Sequence, residues 1–326
     1  MINNNLSKET VMKFSDGYIV QNGESIIDFQ EKIHEIRYQL YEELRNMGNV
    51  IGLCVSEYPL KNIYTEIESR LNEILRLYRR RRIDPCPGVI CSSLDKHRNG
   101  EHRKMRIGIF PVDADPIHWG HLLIGLSAMA KLALDQVVYI VSGAKDHKPD
   151  MVQPVVRHAM ARSVLKMFDP LLRFSDVGLG YAFDDMTNFF RFLNLNQKQK
   201  IEAVYISGLD HTAEDVESGN TDIGSRCRRN SGMENHTLST AIIPRQSQPF
   251  DVNQCGNFAI LPEVPFEVSS TLIRLALQGR EDDTLLSYLP YTAYVDIRAF
   301  GLYGEVCPVD RSEEISRTEM AAVETV

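Results

Sequence analysis

The chain has no apolar run approaching the ~20 residues that cross a bilayer. Its first residues, Met1-Ile2-Asn3-Asn4-Asn5, carry neither the basic nor the apolar region of a signal peptide, so the expected location is cytoplasmic. Among its six cysteines (Cys54, Cys86, Cys91, Cys227, Cys255 and Cys307) there is no C-x-x-C pair. That argues against a zinc ribbon, a redox dithiol or a disulfide framework, and leaves buried or free thiols as the expectation. Basic residues are the minority, 36 Lys and Arg against 44 Asp and Glu, and the net charge of −8 argues against broad nucleic-acid binding. A local cationic pocket remains compatible with it. There is no internal repeat, and His34, His97, His102 and His236 show no metal-ligand spacing, so no metal site is expected among them. What is present, 43% apolar and 25% charged residues over 326 positions, suits a soluble globular protein of one large domain plus a smaller one, or two domains.

The first stretch, 1–83, reads as helical and separate. Ile26, Phe29, Ile33, Ile36, Leu40, Leu44 and Met47 recur at helical spacing with Gly48 as a stop, and a second stripe runs Ile63, Ile67, Leu71, Ile74 and Tyr78. Arg79 to Arg82 close the second helix as a solvated end, where cations complement the dipole. Residues 84–104, with Pro85, Pro87, Gly88 and Gly100, read as a linker. From 105 the texture changes: β-branched apolar runs at 105–110, 136–142, 202–207, 239–243 and 258–261 alternate with helical patterns near 121–134, 154–168, 184–195, 270–278 and 291–299. That alternation predicts an α/β fold, a Rossmann-like parallel sheet with helices on both faces, over 105–308. Residues 212–236 read as a surface loop and 309–326 as a disordered tail.

The densest chemistry lies in Asp115-Pro116-Ile117-His118-Trp119-Gly120-His121, between the first of these strands and its helix. With 9 histidines and 20 glycines in 326 residues, His-x-Gly-His arises by chance about 0.015 times per chain. A helix N-terminus offers N–H groups and a positive dipole end to a phosphate, and imidazoles add directed donors. In open parallel sheets ligands bind beyond the carboxyl ends of the strands. Other polar residues fall at such ends: Lys145, His147 and Lys148 after the second strand, and Gly208, Asp210 and His211 after a later one. Ser269-Ser270-Thr271, then Arg274, open a further helix. Several strand ends furnishing anion binders and ribose acceptors point to a nucleotide with several phosphates. Trp119, the lone tryptophan, is expected to pack rather than stack on a base, and His158 to lie on a packed helix face.

These residues carry a resemblance. The segment from 105 to about 303 resembles the HxGH nucleotidyltransferase superfamily and, within it, the nicotinate and nicotinamide mononucleotide adenylyltransferases. Asp115-Pro116-x-His118-x-Gly120-His121 is similar to the first motif of that family, and Val268-Ser269-Ser270-Thr271-x-Ile273-Arg274 to its more specific I-S-S-T-x-I-R motif. His147-Lys148-Pro149 with Arg157-His158-Ala159-Met160, Gly208-Leu209-Asp210, Ile243-Pro244-Arg245 and the ending Leu289-Pro290 to Gly301-Leu302-Tyr303 follow in the family's order. The family's loop before the first histidine reads P-G-T-F-D-P or G-G-T-F-D-P; here it is Pro111-Val112-Asp113-Ala114-Asp115-Pro116. Val112 restricts the backbone where glycine is usual. Asp113 sets a carboxylate near the expected polyphosphate, which is repulsive unless Mg²⁺ or a cation bridges them.

The resemblance implies adenylyl transfer from ATP to nicotinate or nicotinamide mononucleotide, with pyrophosphate released, and Mg²⁺ accompanying ATP. It implies His118, His121 and Arg274 as catalytic residues. Ile109, Phe110, His118, Gly120, His121, Gly208, Asp210, Ser269, Ser270 and Arg274 would contact ATP, and Lys148 and Arg157 the mononucleotide. A related transferase using CTP or another phosphate acceptor, and a non-catalytic nucleotide-binding regulator, are the alternatives. A class I aminoacyl-tRNA synthetase is disfavoured for want of a K-M-S-K-S-like loop. The expected partners are ATP and a pyridine mononucleotide, with neither membrane nor nucleic acid expected. Oligomeric state, a homo-oligomer included, is left open by the residues.

Overall fold

A computed structural model describes residues 18–21, 24–85, 105–144, 148–177, 201–208, 237–244, 259–266 and 268–304. The expected helix at 184–195, the loop 212–236, most of the linker, the tail, His147 and Asp210 lie outside the described residues.

Six parallel strands form the sheet: β3 (Met105–Val112), β4 (Gln136–Val141), β5 (Leu172–Ser175), β6 (Ile201–Gly208), β7 (Thr237–Ile243) and β8 (Ala259–Ile260). Their spatial order is β5-β4-β3-β6-β7-β8. The chain starts at β3, winds outward through β4 and β5, then returns to the other side of β3 for β6. Neighbouring connections therefore diverge beyond the carboxyl ends of β3 and β6, opening a crevice there. Side-chain alternation along β3 splits the interior in two. Met105, Ile107 and Ile109 join Val138, Ile140, Ile201, Ala203 and Leu238 on one face. Phe110 and Val112 join Val137, Tyr139 and Val141 on the other, beneath the helices. β5 was not legible as a strand, since four residues after Pro170 are too few to show a period.

Helices α3 (Trp119–Leu132) and α4 (Pro154–Lys166) follow β3 and β4, and α5 (Ser270–Leu277) and α6 (Tyr291–Phe300) close the fold around a 3-10 turn, Asp283–Tyr288. Trp119 is fully buried in this core, as a packing residue should be.

The N-terminal region holds α1 (Phe29–Ile51) and α2 (Leu60–Arg79), preceded by an antiparallel ribbon of β1 (Tyr18–Gln21) and β2 (Glu24–Asp28). Ile26 thus belongs to β2 and not to the head of a helical stripe; the β-branched pair Ile26-Ile27 suits a strand. Gly48 does not stop α1 either. A Cβ there would meet the Leu53 carbonyl oxygen at 2.4 Å, so glycine admits the turning chain, while the left-handed position that ends the helix is Gly52, φ +75°. The two apolar stripes of α1 and α2 share one core with Leu122, Leu126 and Ile297 of the sheet domain. Arg70 on α2 donates to Ser127 Oγ on α3 at 3.1 Å. Glu43 on α1 accepts from the Thr292 N–H at 2.9 Å and its hydroxyl at 2.5 Å, capping α6, whose own N-cap is Pro290 without a side-chain cap bond. Arg79 to Arg82 are exposed at the end of α2.

Glu43→Ala removes two partners from the first turn of α6 and is expected to cost about 1–2 kcal/mol, read as a lower urea midpoint at unchanged slope. His158 on α4 is buried edge-on to Phe174, ring centroids 5.5 Å apart, and burial, with the Arg157 charge beside it, holds its pKa below the ordinary value. Below about pH 6.5 the unfolded chain takes up a proton that the folded state refuses, so this contribution to stability is present above that pH and lost as pH falls toward the folded value. His158→Phe should therefore flatten the fall in melting temperature between pH 7.5 and 5.5; an unchanged slope would show that other groups set it.

Candidate active site

The loop leaving β3 enters α3 through its two histidines. His118 is the N-cap of α3, in extended conformation, and His121 is the third residue of the helix. Each imidazole faces the other's backbone N–H, a capping box built from histidines in place of the usual Ser or Thr and Glu. The His118 N–H lies 3.3 Å from His121 Nδ1, and the two rings stack with centroids 3.8 Å apart. A neutral imidazole that accepts at Nδ1 carries its proton on Nε2. The box thus fixes the tautomer of His121 and leaves Nε2–H as a donor. Gly120 makes room for this: a Cβ there would lie 2.9 Å from His118 Nδ1 and 3.0 Å from Val268. The glycine serves the histidine ring and the incoming α5 at least as much as any phosphate.

Ahead of the box, the loop is held from several sides. Val112 completes β3 opposite Val141 and packs in the core, so the position usual for glycine extends the strand here. Ala114 takes a left-handed conformation, φ +52°, and is fully buried. The aspartates on either side of it are held by different elements. Asp113 forms an ion pair with Lys148 at 2.5 Å and accepts from Ser142 Oγ at 2.8 Å. Asp115 accepts from Tyr303 Oη at 2.9 Å and lies 3.4 Å from Arg274. Burial, and after it the Asp115 carboxylate, pushes the Tyr303 hydroxyl pKa far up, so the phenol stays a neutral donor.

Arg157 and Arg274 differ in placement. The Arg157 guanidinium is fully buried and donates to four backbone carbonyls: Asp113, Ser142 (2.9 Å), Gly143 (2.8 Å) and Val152 (2.7 Å). This corrects the expectation of a mononucleotide-phosphate ligand. With its donors directed at carbonyls, Arg157 braces the loops after β3 and β4. Arg274 is partly exposed; it donates to the Asp115 carbonyl at 2.5 Å and to Thr271 Oγ1 at 3.2 Å. Ser269 caps α5 by accepting from the Leu272 N–H at 3.2 Å, and Ser270 donates to the Pro116 carbonyl at 2.9 Å.

Of the expected site residues, His118, Gly120, His121, Ser269, Ser270 and Arg274 thus come together, with Lys148 beside them on Asp113. Gly208 ends β6, next to β3 and in register with Ile243. Phe110 is buried, its ring 6.4 Å from that of His121. Ile109 faces the opposite core, so only its main chain can reach a ligand on this side. Residue-by-residue reading assigned no role to Tyr139, Ser142 and Tyr303, each of which bonds into this loop or α3. Ser142, just past β4, lay where strand-end residues gather; Tyr139, inside a strand, gave no signal.

Residues 109–276 match the family model described as "Cytidylyltransferase-like". A protein of Clostridium perfringens named "Probable nicotinate-nucleotide adenylyltransferase" is 27% identical over 216 residues, covering 61% of this chain and 98% of that protein. A protein of the same name from Clostridium novyi is 29% identical over 209 residues, covering 60% and 98%. Among solved structures, a Plasmodium falciparum nicotinic acid mononucleotide adenylyltransferase complexed with NaAD aligns over 61% of this chain and 97% of its own, at 16% identity and a TM-score of 0.46. The matched segment spans just over half of the 326 residues and runs from the second half of β3, through the histidine box, to the next-to-last residue of α5. The chain belongs to the cytidylyltransferase-like family of nucleotidyltransferases.

Proposed function

We propose that the protein transfers the adenylyl group of ATP to nicotinate mononucleotide, forming the dinucleotide and pyrophosphate in NAD biosynthesis. One observation carries this reading. The histidine box of α3 and the Ser269–Arg274 start of α5 are bonded into one unit through Pro116 and Asp115, at the edge of the crevice beyond β3. Two helix N-termini, two imidazoles and a guanidinium on one loop make a site for a polyphosphate. The names of the clostridial relatives, matched over nearly their whole length, supply the acceptor.

The acceptor's phosphate is ionised at neutral pH, so no strong base is required. One of its oxygens attacks the α-phosphorus of ATP in line. The new P–O bond forms as the bond to the bridging oxygen breaks, and pyrophosphate departs with the electron pair. Catalysis is then positioning plus stabilisation of charge on the transferring group. His121 and His118 donate to that group; Arg274 and the first-turn N–H groups of α5 at Ser269 and Ser270 hold the departing phosphates. Gly120, the main chain at Ile109 and Phe110, and Gly208 with Asp210 line the nucleoside side. Mg²⁺ would accompany ATP as part of the substrate and supply charge neutralisation to its phosphates; Asp113 and Asp115, already engaged by cations and hydroxyls, would not be needed to hold it. Lys148 neutralises Asp113 on the phosphate approach, and the acceptor's phosphate is a second anion it would bind.

Pyrophosphate release from Mg-ATP with nicotinate mononucleotide tests the reading, with nicotinamide mononucleotide and CTP as comparison arms. Turnover fastest with ATP and nicotinate mononucleotide is expected. ATP binding without turnover on either mononucleotide would favour the regulator, and faster turnover with CTP would reassign the nucleotide. His121→Ala should lower kcat by about 10²–10³-fold in a folded protein. Lys148→Met leaves Asp113 uncompensated and should raise the KM for ATP about tenfold, roughly 1.4 kcal/mol. Adding Asp113→Thr to Lys148→Met should return it. A double variant no better than Lys148→Met would show that the lysine acts on substrate and not through Asp113.

A further inference from the structure

Tyr139 is a polar residue in an apolar place. It lies in the middle of β4, opposite Phe110 in the β3–β4 register, and is fully buried beneath α3. Its hydroxyl donates to the backbone carbonyl of His121 at 2.9 Å. The residue one turn later on α3 is Gly125, where an added Cβ would lie 2.1 Å from the Tyr139 oxygen, 3.0 Å from Cζ and 3.1 Å from Leu172 Cδ2. The Gly125 N–H faces the same oxygen. In an α-helix the carbonyl of residue 121 and the N–H of residue 125 are partners in the ladder. The phenol is therefore seated at the rung that begins at His121.

Two local rules are broken together here. Glycine in a helix interior is destabilising relative to alanine, and a buried hydroxyl costs desolvation that an apolar ring avoids. A phenylalanine in the strand facing an alanine in the helix would fill the same space without either cost. Paired departures of this kind mark places where geometry is held for a purpose other than stability. The residue affected is the second histidine of the box, whose ring is held by a long contact, 3.3 Å from the His118 N–H. Small shifts of the first turn would let that contact go, and with it the Nε2–H tautomer.

We infer that Tyr139 is a positioning residue for His121, its hydroxyl fixing the first turn of α3 so that the imidazole keeps Nε2–H directed at the transferring phosphoryl group. This rests on the adenylyl-transfer reading for its consequence in rate, though not for its consequence in structure. Burial holds the Tyr139 pKa far up, so the donor persists at any pH the protein tolerates.

The test compares Tyr139→Phe, Gly125→Ala and the double variant by steady-state kinetics, thermal melting and ¹⁵N shifts of the His121 ring in histidine-labelled protein. Tyr139→Phe should lower kcat about tenfold, move the KM for Mg-ATP less than about threefold, and shift the His121 ring nitrogens toward a tautomer mixture. Gly125→Ala forces the hydroxyl out and should lose activity and melting temperature together. With the hydroxyl gone, the double variant should melt above Gly125→Ala and turn over no more slowly than Tyr139→Phe. Unchanged kcat with unchanged ¹⁵N shifts in Tyr139→Phe would overturn the assignment. So would losses of rate that only follow the melting temperature across all three variants. If the wild type turns over neither mononucleotide, the functional reading fails by itself and the ¹⁵N shifts still decide the positioning role.

Discussion

The loop between β3 and α3 is buried yet has no ladder of its own, so its carbonyls must find donors elsewhere. Three side chains from two other elements supply them. Arg157 on α4 takes the carbonyl of Asp113, Arg274 on α5 takes that of Asp115, and Ser270 on α5 takes that of Pro116. This requirement sets the placement of both helices relative to the histidines. It also explains why motifs more than 140 positions apart converge: the second satisfies the backbone of the first. An arginine is suited to such work because its planar fork carries five donors and keeps its charge. The same bonds hold Ala114 in a left-handed conformation that a free chain would leave.

Asp113 shows how one substitution can be absorbed electrostatically. A carboxylate on the path of a triphosphate repels it, and a neutral threonine would not. Here the charge is cancelled by Lys148 and the remaining lone pairs are directed to Ser142. The pair is partly exposed, so its strength against solvent is modest. Its effect on a ligand of several negative charges is larger than its effect on folding, because the ligand senses net charge.

The sheet and the two helix-start motifs were legible because each rests on local pattern. β-Branched runs such as Gln136–Val141 announce buried strands, and His-x-Gly-His or Ser-Ser-Thr-x-Ile-Arg pair a spacing with a helix start. What could not be read were side chains whose partners are remote. Nothing local distinguishes Arg157 as a brace from Arg157 as a phosphate ligand; the difference lies in full burial among four carbonyls. Tyr139 lies within an apolar strand and reads as packing until Gly125 is seen facing it. Ile26 and Gly48 misled for the converse reason. Each fitted a helical period, and each was overruled by a neighbouring segment, the β1 strand in one case and the turning chain at Leu53 in the other.

The N-terminal helices have a physical role that follows from where they dock. Their apolar stripes do not close on each other alone but share a core with α3, α6 and the 3-10 turn. α2 lies along α3, touching it through Arg70 and Ser127, and α1 caps α6 through Glu43. The helix that carries both histidines is thus clamped between the sheet, through Tyr139, and α2 on its other side. The clostridial relatives are covered almost whole by about 60% of this chain, so much of this chain lies outside those matches. Because the buried faces of α1 and α2 are continuous with the core under the site, removing the two helices would expose Leu122, Leu126 and Ile297 along the back of α3 and α6. The helical pair is a structural wall of the catalytic domain, joined to it by apolar burial and not by the linker alone.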